Sequence, residues 1–195
     1  MTSSLKLLII NGAQSHGFAT GSLNTHICEV MRSELVAAGH SVTITATEQK
    51  YDAQVEAGKI AAADVVILQT PIFWMSLPWG AKKYFDDVLV PGNLFKDDGR
   101  TRKDPTKQYG TGGLCQGKRF LLSCTYNCPK SAFNDPDQYL MQGGGVEDML
   151  LHINLTFKFM GFQILPIFSA HDVVKDLKIE EIEDGIKSHL RDCVC

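Results

Sequence analysis

The segment 11–24 (NGAQSHGFATGSLN) carries glycines and hydroxyl side chains between an apolar run and an amphipathic stretch. This pattern predicts a loop between a strand and the N-terminus of a helix, where free N–H groups and the helix dipole can hold a phosphate. The glycine spacing matches neither GxGxxG nor the P-loop. The alternatives are that Thr20 or Ser22 only caps the helix and that His16 is only solvated.

The segment 69–78 (QTPIFWMSLP) is unusually apolar for a surface loop, and its two prolines stiffen it. Aromatic side chains on a rigid turn beside a phosphate site form a wall for a flat heteroaromatic ring. For Phe73 and Met75, packing into the core or a subunit interface is an equal alternative. For Trp74 a position facing the ring is favoured.

The segment 125–129 (TYNCP) follows a third apolar run and offers short polar side chains and backbone N–H groups. Such donors suit the polar edge of a ring that gains negative charge when it accepts a hydride. Tyr126 can stack or donate a hydrogen bond there. An ordinary turn between a strand and a helix is the alternative.

Side-chain catalysis has little support in the sequence. No GxSxG, HExxH or zinc-ligand spacing occurs, so no metal site is expected. Cys124 and Cys128 are separated by the end of a strand, which argues against a redox pair. A bound cofactor is therefore expected to supply the chemistry.

The elements that position these segments follow an alternating order. Apolar runs predict strands at 5–10, 40–46, 64–69, 118–124 and 163–168. The second is expected nearer a sheet edge, and Pro166 inside the fifth predicts an edge position or a short strand. Helical periodicity predicts helices between them and after the last, around 23–35, 55–63, 79–89, 149–160 and 179–190. We expect one α/β domain over 1–195: a flavodoxin-like three-layer sandwich with strand order 2-1-3-4-5. Ligands bind such sheets at the carboxyl ends of the strands.

An insertion at about 90–117 separates the third helix from the fourth strand. It holds DGRTRKDP at 98–105 and YGTGG at 109–113. A loop of this length is usually functional or disordered. The basic residues Arg100, Arg102, Lys103 and Lys107 suit either a 2′-phosphate or a solvated face.

Bulk properties exclude several classes of protein. The net charge of −3 gives no general basis for binding nucleic acid, and no apolar run is long enough to span a membrane. The six cysteines lack a disulfide pattern and predict reduced thiols in the cytoplasm.

The three loops, with WMSLPWGAKKYFDDV at 74–88 and DGRTRKDPTKQYGTGGL at 98–114, resemble the bacterial quinone reductases called modulator of drug activity B. These belong to the flavodoxin-like quinone reductases that include DT-diaphorase. The resemblance implies tightly bound FAD, NADPH as donor, a quinone as acceptor and two-electron transfer by a ping-pong exchange. It also implies a role in oxidative-stress defence and a homodimer with active sites at the subunit interface.

The resemblance also assigns residues by position. Trp74, Tyr109 and Tyr126 are the expected catalytic residues. The expected cofactor contacts are His16, Thr20, Gly21, Ser22 and Leu23 at the FAD pyrophosphate; Pro71, Ile72, Phe73 and Trp74 at the ring; Thr125, Tyr126 and Asn127 at its polar edge; and Tyr109, Gly112, Gly113 and Leu114 from the partner subunit.

The chain departs from the family at each loop, with HGFATGSLN, Ile72-Phe73-Trp74 and Tyr126 where the bacterial enzymes have other residues. Two alternatives therefore stay open. One is an FMN-dependent azo- or nitroreductase on the same fold. The other is a flavin-free interaction module. An electron-carrier flavodoxin is disfavoured because such carriers are strongly acidic.

Overall fold

Six parallel strands form one twisted sheet in the computed structural model, which describes residues 4–195. The order is β2-β1-β3-β4-β5, and β6 also pairs with β4. This confirms the predicted flavodoxin-like fold and strand order. The strands are β1 (Lys6–Asn11), β2 (Ser41–Ala46), β3 (Val65–Pro71), β4 (Arg119–Thr125), β5 (Gln163–Ile164) and β6 (Phe168–Ala170).

The expected fifth strand is divided into two short pieces. β5 pairs with the beginning of β4 and β6 pairs with its end. Pro166 lies between the two pieces and has no N–H to donate to a ladder, so pairing stops there. The sequence prediction of a short or edge strand is confirmed, with the break added.

Helices cover both faces of the sheet because the apolar side chains of the central strands point alternately to each face. Leu8 and Ile10 of β1 pack on one side, while Leu7 and Ile9 pack on the other. The helices are α1 (Ser22–Ala37), α2 (Ala53–Ala62), α3 (Trp79–Leu89), α4 (Val146–Met149), α5 (Leu151–Phe159) and α6 (Ile179–Cys193). Within residues 4–195 none of them combines the length and apolar character that crossing a bilayer requires.

A buried carboxylate joins α2 to α3. Glu56 is 3% exposed and accepts a hydrogen bond from the Tyr84 hydroxyl at 3.0 Å. Lys59 lies 2.5 Å from the same carboxylate. Burial alone would raise the pKa of Glu56, but these hydrogen bonds outweigh it and hold the pKa below 4.5. The contact fixes the helix that follows the 72–78 loop.

The 90–117 insertion is folded back on itself and packed against α5. The Lys96 N–H donates to the Gly112 carbonyl at 2.9 Å, and the Cys115 N–H donates to the Met160 carbonyl at 2.9 Å. At Gly113 a Cβ atom would lie 2.2 Å from the carbonyl carbon of Met160, so only glycine allows this approach. The insertion is thus packed against the rest of the fold, whereas a disordered loop was the alternative prediction.

Candidate active site

Three loops meet at the carboxyl ends of β1, β3 and β4: loop 1 (residues 12–21), loop 2 (72–78) and loop 3 (126–129). Strand pairing sets them side by side, since Asn11 is in register with Gln69 and Pro71 with Thr125. The Gly12 N–H donates to the Gln69 carbonyl at 2.8 Å, and the Ile72 N–H donates to the Thr125 carbonyl at 3.0 Å. The sheet therefore brings the three sequence-predicted segments to one edge.

A buried polar network lies beneath the loops. Asn24 Oδ1 accepts from Gln69 Nε2 at 2.8 Å and from the Thr125 hydroxyl at 3.3 Å. The Ser123 hydroxyl donates to Gln69 Oε1 at 2.5 Å. All four side chains are at most 5% exposed. Such a satisfied network fixes the three strand ends relative to one another. This network was not predicted from the sequence, although the polar residues inside apolar strand runs could have indicated it.

Loop 1 ends at Gly21, whose φ of 76° places it in the left-handed region at the start of α1. No side chain within residues 4–195 caps this helix, and the Ser22 N–H has only a 3.4 Å contact with the Thr20 hydroxyl. Thr20 and Ser22 are exposed and bond to each other at 3.0 Å. The first turn of α1 thus presents N–H groups to solvent, the arrangement that binds anions.

A tight turn shapes the rest of loop 1. His16 and Ala19 exchange two backbone hydrogen bonds of 2.9 Å, which leaves Phe18 at the tip with 87% of its surface exposed. The His16 ring packs edge-on against Trp79 at 5.0 Å. His16 is therefore held against α3 and is not a free loop histidine. On the other side, the Ser15 N–H donates to Glu48 at 3.0 Å.

Loop 2 contains a strained turn. Phe73 and Ser76 are paired through two backbone hydrogen bonds, and the two residues between them have positive φ, 50° for Trp74 and 63° for Met75. A turn of this form normally uses Asn-Gly. Each left-handed L-residue costs about 1–2 kcal/mol. The turn holds Trp74 with 94% of its surface exposed, which is the kind of strain that marks functional segments.

The remaining residues of loop 2 lie deeper. Ile72 and Leu77 pack against the core, whereas Pro71 and Phe73 are half-buried. The Ser76 hydroxyl and His152 Nε2 are 3.0 Å apart, which ties loop 2 to α5. Met75 is 46% exposed and is not part of the core.

Loop 3 differs from the sequence expectation at Tyr126. Its side chain is 4% exposed, stacks on His171 at 5.5 Å and meets the edge of Phe133 at 5.7 Å. Burial raises the pKa of its hydroxyl far above the ordinary value, and that hydroxyl has no hydrogen-bond partner among the described residues. Because His171, just after β6, and Phe133 cover the ring, the structure does not place this phenol at the loop surface.

The other two residues expected at the polar edge of the ring, Thr125 and Asn127, lie in different environments. The Thr125 side chain points into the buried network, so its contribution to the loop surface is backbone. Asn127 is exposed, and its Oδ1 accepts from the Val174 N–H at 3.3 Å. Asn127 is therefore the polar side chain that loop 3 presents to solvent.

The residues expected from a partner subunit lie on the insertion. Tyr109 is 69% and Leu114 is 56% exposed. At Gly112 a Cβ would come within 2.1 Å of the Asp97 carbonyl oxygen. Gly112, like Gly113, therefore has a packing role within its own chain.

A groove borders loop 2 and does not lie among the three loops. Its volume is about 580 Å³, and Ser76 and Leu77 of loop 2 line one end while Tyr109 of the insertion lines another part. Apolar side chains of α3 and α5, including Phe85, Leu155 and Phe159, form its walls. The groove links Tyr109 to loop 2 along one surface.

The thiols near the site are not activated. Burial raises the pKa of Cys124 to about 12, and partial burial with nearby Asp172 raises the pKa of Cys128. All six cysteines in the chain are free. Neither thiol is a thiolate near neutral pH, which argues against a Cys124–Cys128 redox pair. Residues 4–195 contain no cluster of three or more potential His, Cys, Asp or Glu metal ligands.

Two comparisons of sequence agree with this geometry. A family model described as a flavodoxin-like fold matches residues 5–193. An uncharacterized protein of Schizosaccharomyces pombe is 38% identical over 190 residues, covering 96% of each chain. The NADPH:quinone oxidoreductase MdaB of Haemophilus influenzae is 37% identical over 188 residues, covering 95% of this chain and 97% of the relative.

Solved structures share the fold at lower identity. A Klebsiella pneumoniae protein, provisionally named a quinone reductase, has a TM-score of 0.75 at 21% identity over 96% of this chain and 84% of its own. An FMN-dependent NADH-azoreductase from Bacillus anthracis, solved with FMN, has a TM-score of 0.64 at 14% identity over 96% of each chain. The chain therefore belongs to the flavodoxin-like fold family, together with the quinone oxidoreductase of Haemophilus influenzae that it matches over nearly its full length.

Proposed function

We propose that this protein is an FAD-dependent NADPH:quinone oxidoreductase that reduces quinones by two electrons, and that residues 1–195 form one domain. The convergence of loops 1, 2 and 3 at one edge of the sheet is the observation that carries the proposal. An uncapped helix N-terminus, an exposed indole and a polar loop meet there. The name of the Haemophilus influenzae relative supplies the donor and the class of acceptor.

The chain's own residues fit a flavin nucleotide. The N–H groups of Ser22 and Leu23 at the start of α1, with the Thr20 hydroxyl, suit its phosphates. Loop 2 offers Trp74 and the half-buried Phe73 as apolar surface for the ring. The remaining proposed contacts follow the sequence assignment: His16 and Gly21 in loop 1, Pro71 at the end of β3 with Ile72 in loop 2, and the backbone of Thr125 at the end of β4 with Asn127 in loop 3.

A bound flavin supplies reversible two-electron hydride chemistry. The protein's part is to hold the reactants in place and to provide hydrogen-bond donors where negative charge develops. Backbone N–H groups and the exposed Asn127 of loop 3 serve the second task. Because the thiols at this edge stay protonated, they do not act as nucleophiles in competition with hydride transfer. Donor and quinone use one pocket in turn, which is the basis of the proposed ping-pong exchange.

The second candidate is an FMN-dependent azo- or nitroreductase. It is supported by the shared fold of the Bacillus anthracis azoreductase, which was solved with FMN. The two candidates differ in the nucleotide that remains bound. FAD needs room for a second phosphate and an adenosine, whereas FMN ends at one phosphate.

We also propose that the enzyme acts as a homodimer. Tyr109 and Leu114 are large and exposed, and they lie on a docked insertion beside the apolar groove of about 580 Å³. A second copy covering this surface would bring Tyr109 and Leu114 to the loops of the partner, as the family resemblance implies. The free cysteines support a reducing compartment, the cytoplasm.

The test is an absorption spectrum of the purified protein after incubation with FAD and desalting. We expect a retained flavin band that bleaches with NADPH under anaerobic conditions and returns on addition of menadione. Extraction and chromatography identify the flavin, so FMN retention with azo-dye turnover would favour the second candidate. A protein that retains neither FAD nor FMN would contradict the enzyme assignment and favour a flavin-free interaction module.

Tyr109→Phe tests the contact across the proposed dimer. We expect lower quinone turnover with an unchanged melting temperature, because the Tyr109 hydroxyl is exposed in the single chain. Wild-type kinetics in this variant would remove the hydroxyl from the mechanism.

A further inference from the structure

Loop 3 is joined to the chain segment that includes the end of β6 and the residues just after it. In the sheet, Thr125 is in register with Ala170. Beyond the strand end, the Tyr126 N–H donates to the Ala170 carbonyl at 2.8 Å, and the Val173 N–H donates to the Tyr126 carbonyl at 3.0 Å. The pairing of β4 with β6 therefore continues into loop 3, so this segment positions the loop.

His171 lies in this segment and holds the carbonyl group that precedes Pro129. Its Nδ1 is 3.2 Å from the Cys128 carbonyl oxygen, which also accepts from the Asp172 N–H at 3.3 Å. Because a carbonyl oxygen only accepts hydrogen bonds, Nδ1 of His171 carries the proton. In the neutral ring Nε2 then accepts from the Ser169 hydroxyl, which lies 2.9 Å away.

The imidazole ring of His171 is also fixed by packing. It lies parallel to the Tyr126 ring, with 7° between the planes and 5.5 Å between the centroids, and it meets the Phe133 ring at 5.5 Å. Burial lowers the pKa of His171 below its ordinary 6.5, and nearby Lys130 lowers it further. The ring is therefore neutral near pH 7, with one nitrogen that donates and one that accepts.

Two N–H donors of loop 3 stay open beside this contact. The N–H groups of Asn127 and Cys128 have no backbone or side-chain acceptor among residues 4–195. The peptide that carries the Cys128 N–H lies between two peptides whose carbonyls are held, that of Tyr126 by Val173 and that of Cys128 by His171. Loss of the His171 contact would release one end of this peptide and allow the N–H to turn.

We infer that His171 is a positioning residue of the proposed active site: by holding the Cys128 carbonyl, it sets the direction of the loop 3 N–H groups that stabilise the negative charge of a reduced flavin. The inference rests on the proposed function, because a flavin is there the cofactor at loop 3. Preorganised donors stabilise the charged, reduced form more than the oxidised form, so they raise the reduction potential of the cofactor. His171 acts through the backbone, and no proton or hydride passes through it.

The first test measures the two-electron reduction potential of the bound flavin in two variants. His171→Phe keeps an aromatic ring beside Tyr126 but removes both nitrogens, whereas the side-chain amide in His171→Asn supplies a donor in place of Nδ1. We expect His171→Phe to lower the preference for reduced over oxidised flavin about tenfold, or about 30 mV for two electrons, the size of one misaligned hydrogen bond. His171→Asn should restore most of this preference.

An unchanged potential in His171→Phe would overturn the inference. An equally low potential in His171→Asn would also overturn it, because the ring and not its donor would then matter. His189→Phe is the matched control: His189 Nε2 lies 2.9 Å from the Pro166 carbonyl oxygen, and its ring packs beside Phe168. This contact joins α6 to the residues before β6, so its loss should leave the potential at the wild-type value. Equal falls in the two phenylalanine variants would show an effect of general stability and contradict the inference.

The second test uses the flavin-free protein. Nitrogen chemical shifts should show the Nδ1–H tautomer of His171 at pH 7. Residual dipolar couplings, which report the direction of an N–H bond, should change at Cys128 in His171→Phe and keep their wild-type values in His189→Phe. Unchanged couplings in His171→Phe would overturn the inference.

The two tests separate this inference from the proposed function. If the wild type retains flavin and reduces quinones while its potential equals that of His171→Phe, the proposed function stands and the inference alone is wrong. If the wild type retains neither FAD nor FMN, the proposed function fails, and the inference fails with it whatever tautomer His171 adopts.

Discussion

Replacing Trp74 by glycine tests two things separately: the backbone strain in loop 2 and the role of the Trp74 indole ring in flavin binding. Trp74 has a φ of 50° and is 94% exposed, so the substitution removes an unfavourable backbone conformation and almost no packing. The left-handed conformation costs an L-residue about 1–2 kcal/mol. The greater conformational freedom of glycine in the unfolded chain offsets roughly 0.5–1 kcal/mol of the stability gained by removing this cost. We expect flavin-free Trp74→Gly to be more stable than the wild type by about 0.5–1 kcal/mol.

The assay is urea unfolding of the flavin-free protein at low concentration, together with a thermal melt. For a chain of this size the gain corresponds to a rise in Tm of about 1–4 °C. The same variant should bind flavin more weakly or turn over quinone more slowly, because the ring wall is missing. Greater stability with poorer function is the pattern expected where strain serves an active site.

Met75→Gly is the control, since Met75 shares the strained turn with a φ of 63° and leaves the indole in place. It should also stabilise the flavin-free protein, while flavin binding stays near the wild-type value. Trp74→Gly that destabilises the flavin-free protein would refute the strain argument. Wild-type flavin affinity and quinone turnover in that variant would remove Trp74 from the site.

Three further substitutions and one control test the residues that support the site. Gly113→Ala should lower the free energy of unfolding by more than about 2 kcal/mol, because its Cβ would meet the Met160 backbone at 2.2 Å; Gly58→Ala, with open space around it in α2, should instead be neutral or stabilising in the same melts. Asn24→Ala removes the acceptor of two buried hydrogen bonds, so urea unfolding should show a loss of about 1–3 kcal/mol and flavin titration a weaker affinity; an unchanged affinity would show that the network does not position the loops. Glu56 has a folded pKa below its ordinary 4.5, so its stabilising contribution is present above pH 4.5 and is lost as the pH falls through the folded pKa. In Glu56→Gln the free energy of unfolding should therefore fall less steeply as the pH drops below 4.5. An equal fall in the wild type and the variant would show that Glu56 does not cause this loss.

Much of the fold could be predicted because its signals are local. The apolar run at 64–69 became β3, and the amphipathic segment entered through Pro78 became α3 with the expected bounds, Trp79–Leu89. Pro166 predicted a short or edge strand, and the structure divides it into two short strands. Periodicity over a few residues decides whether a segment is a helix or a strand, so one sequence suffices for these statements.

The sequence also located the three loops, because glycines, prolines and exposed aromatics mark turns at the ends of strands. Tyr126 shows where such reasoning stops. It follows β4 as expected, but its ring is covered by His171 and Phe133. Both neighbours come from segments whose position the residues of loop 3 do not determine.

Only the tertiary structure decided how the loops are supported. The hydrogen bond between Thr125 and Asn24 joins residues 101 positions apart, and that between Gln69 and Asn24 joins residues 45 apart. It likewise decided that Trp74 and Met75 take left-handed conformations without a glycine, and that the insertion docks on α5. These features depend on contacts between segments that are far apart in the chain. Local sequence patterns do not specify such contacts. The sequence by itself determined the elements, their order and the residue types at the site; the packing of distant segments determined which of those residues face the solvent.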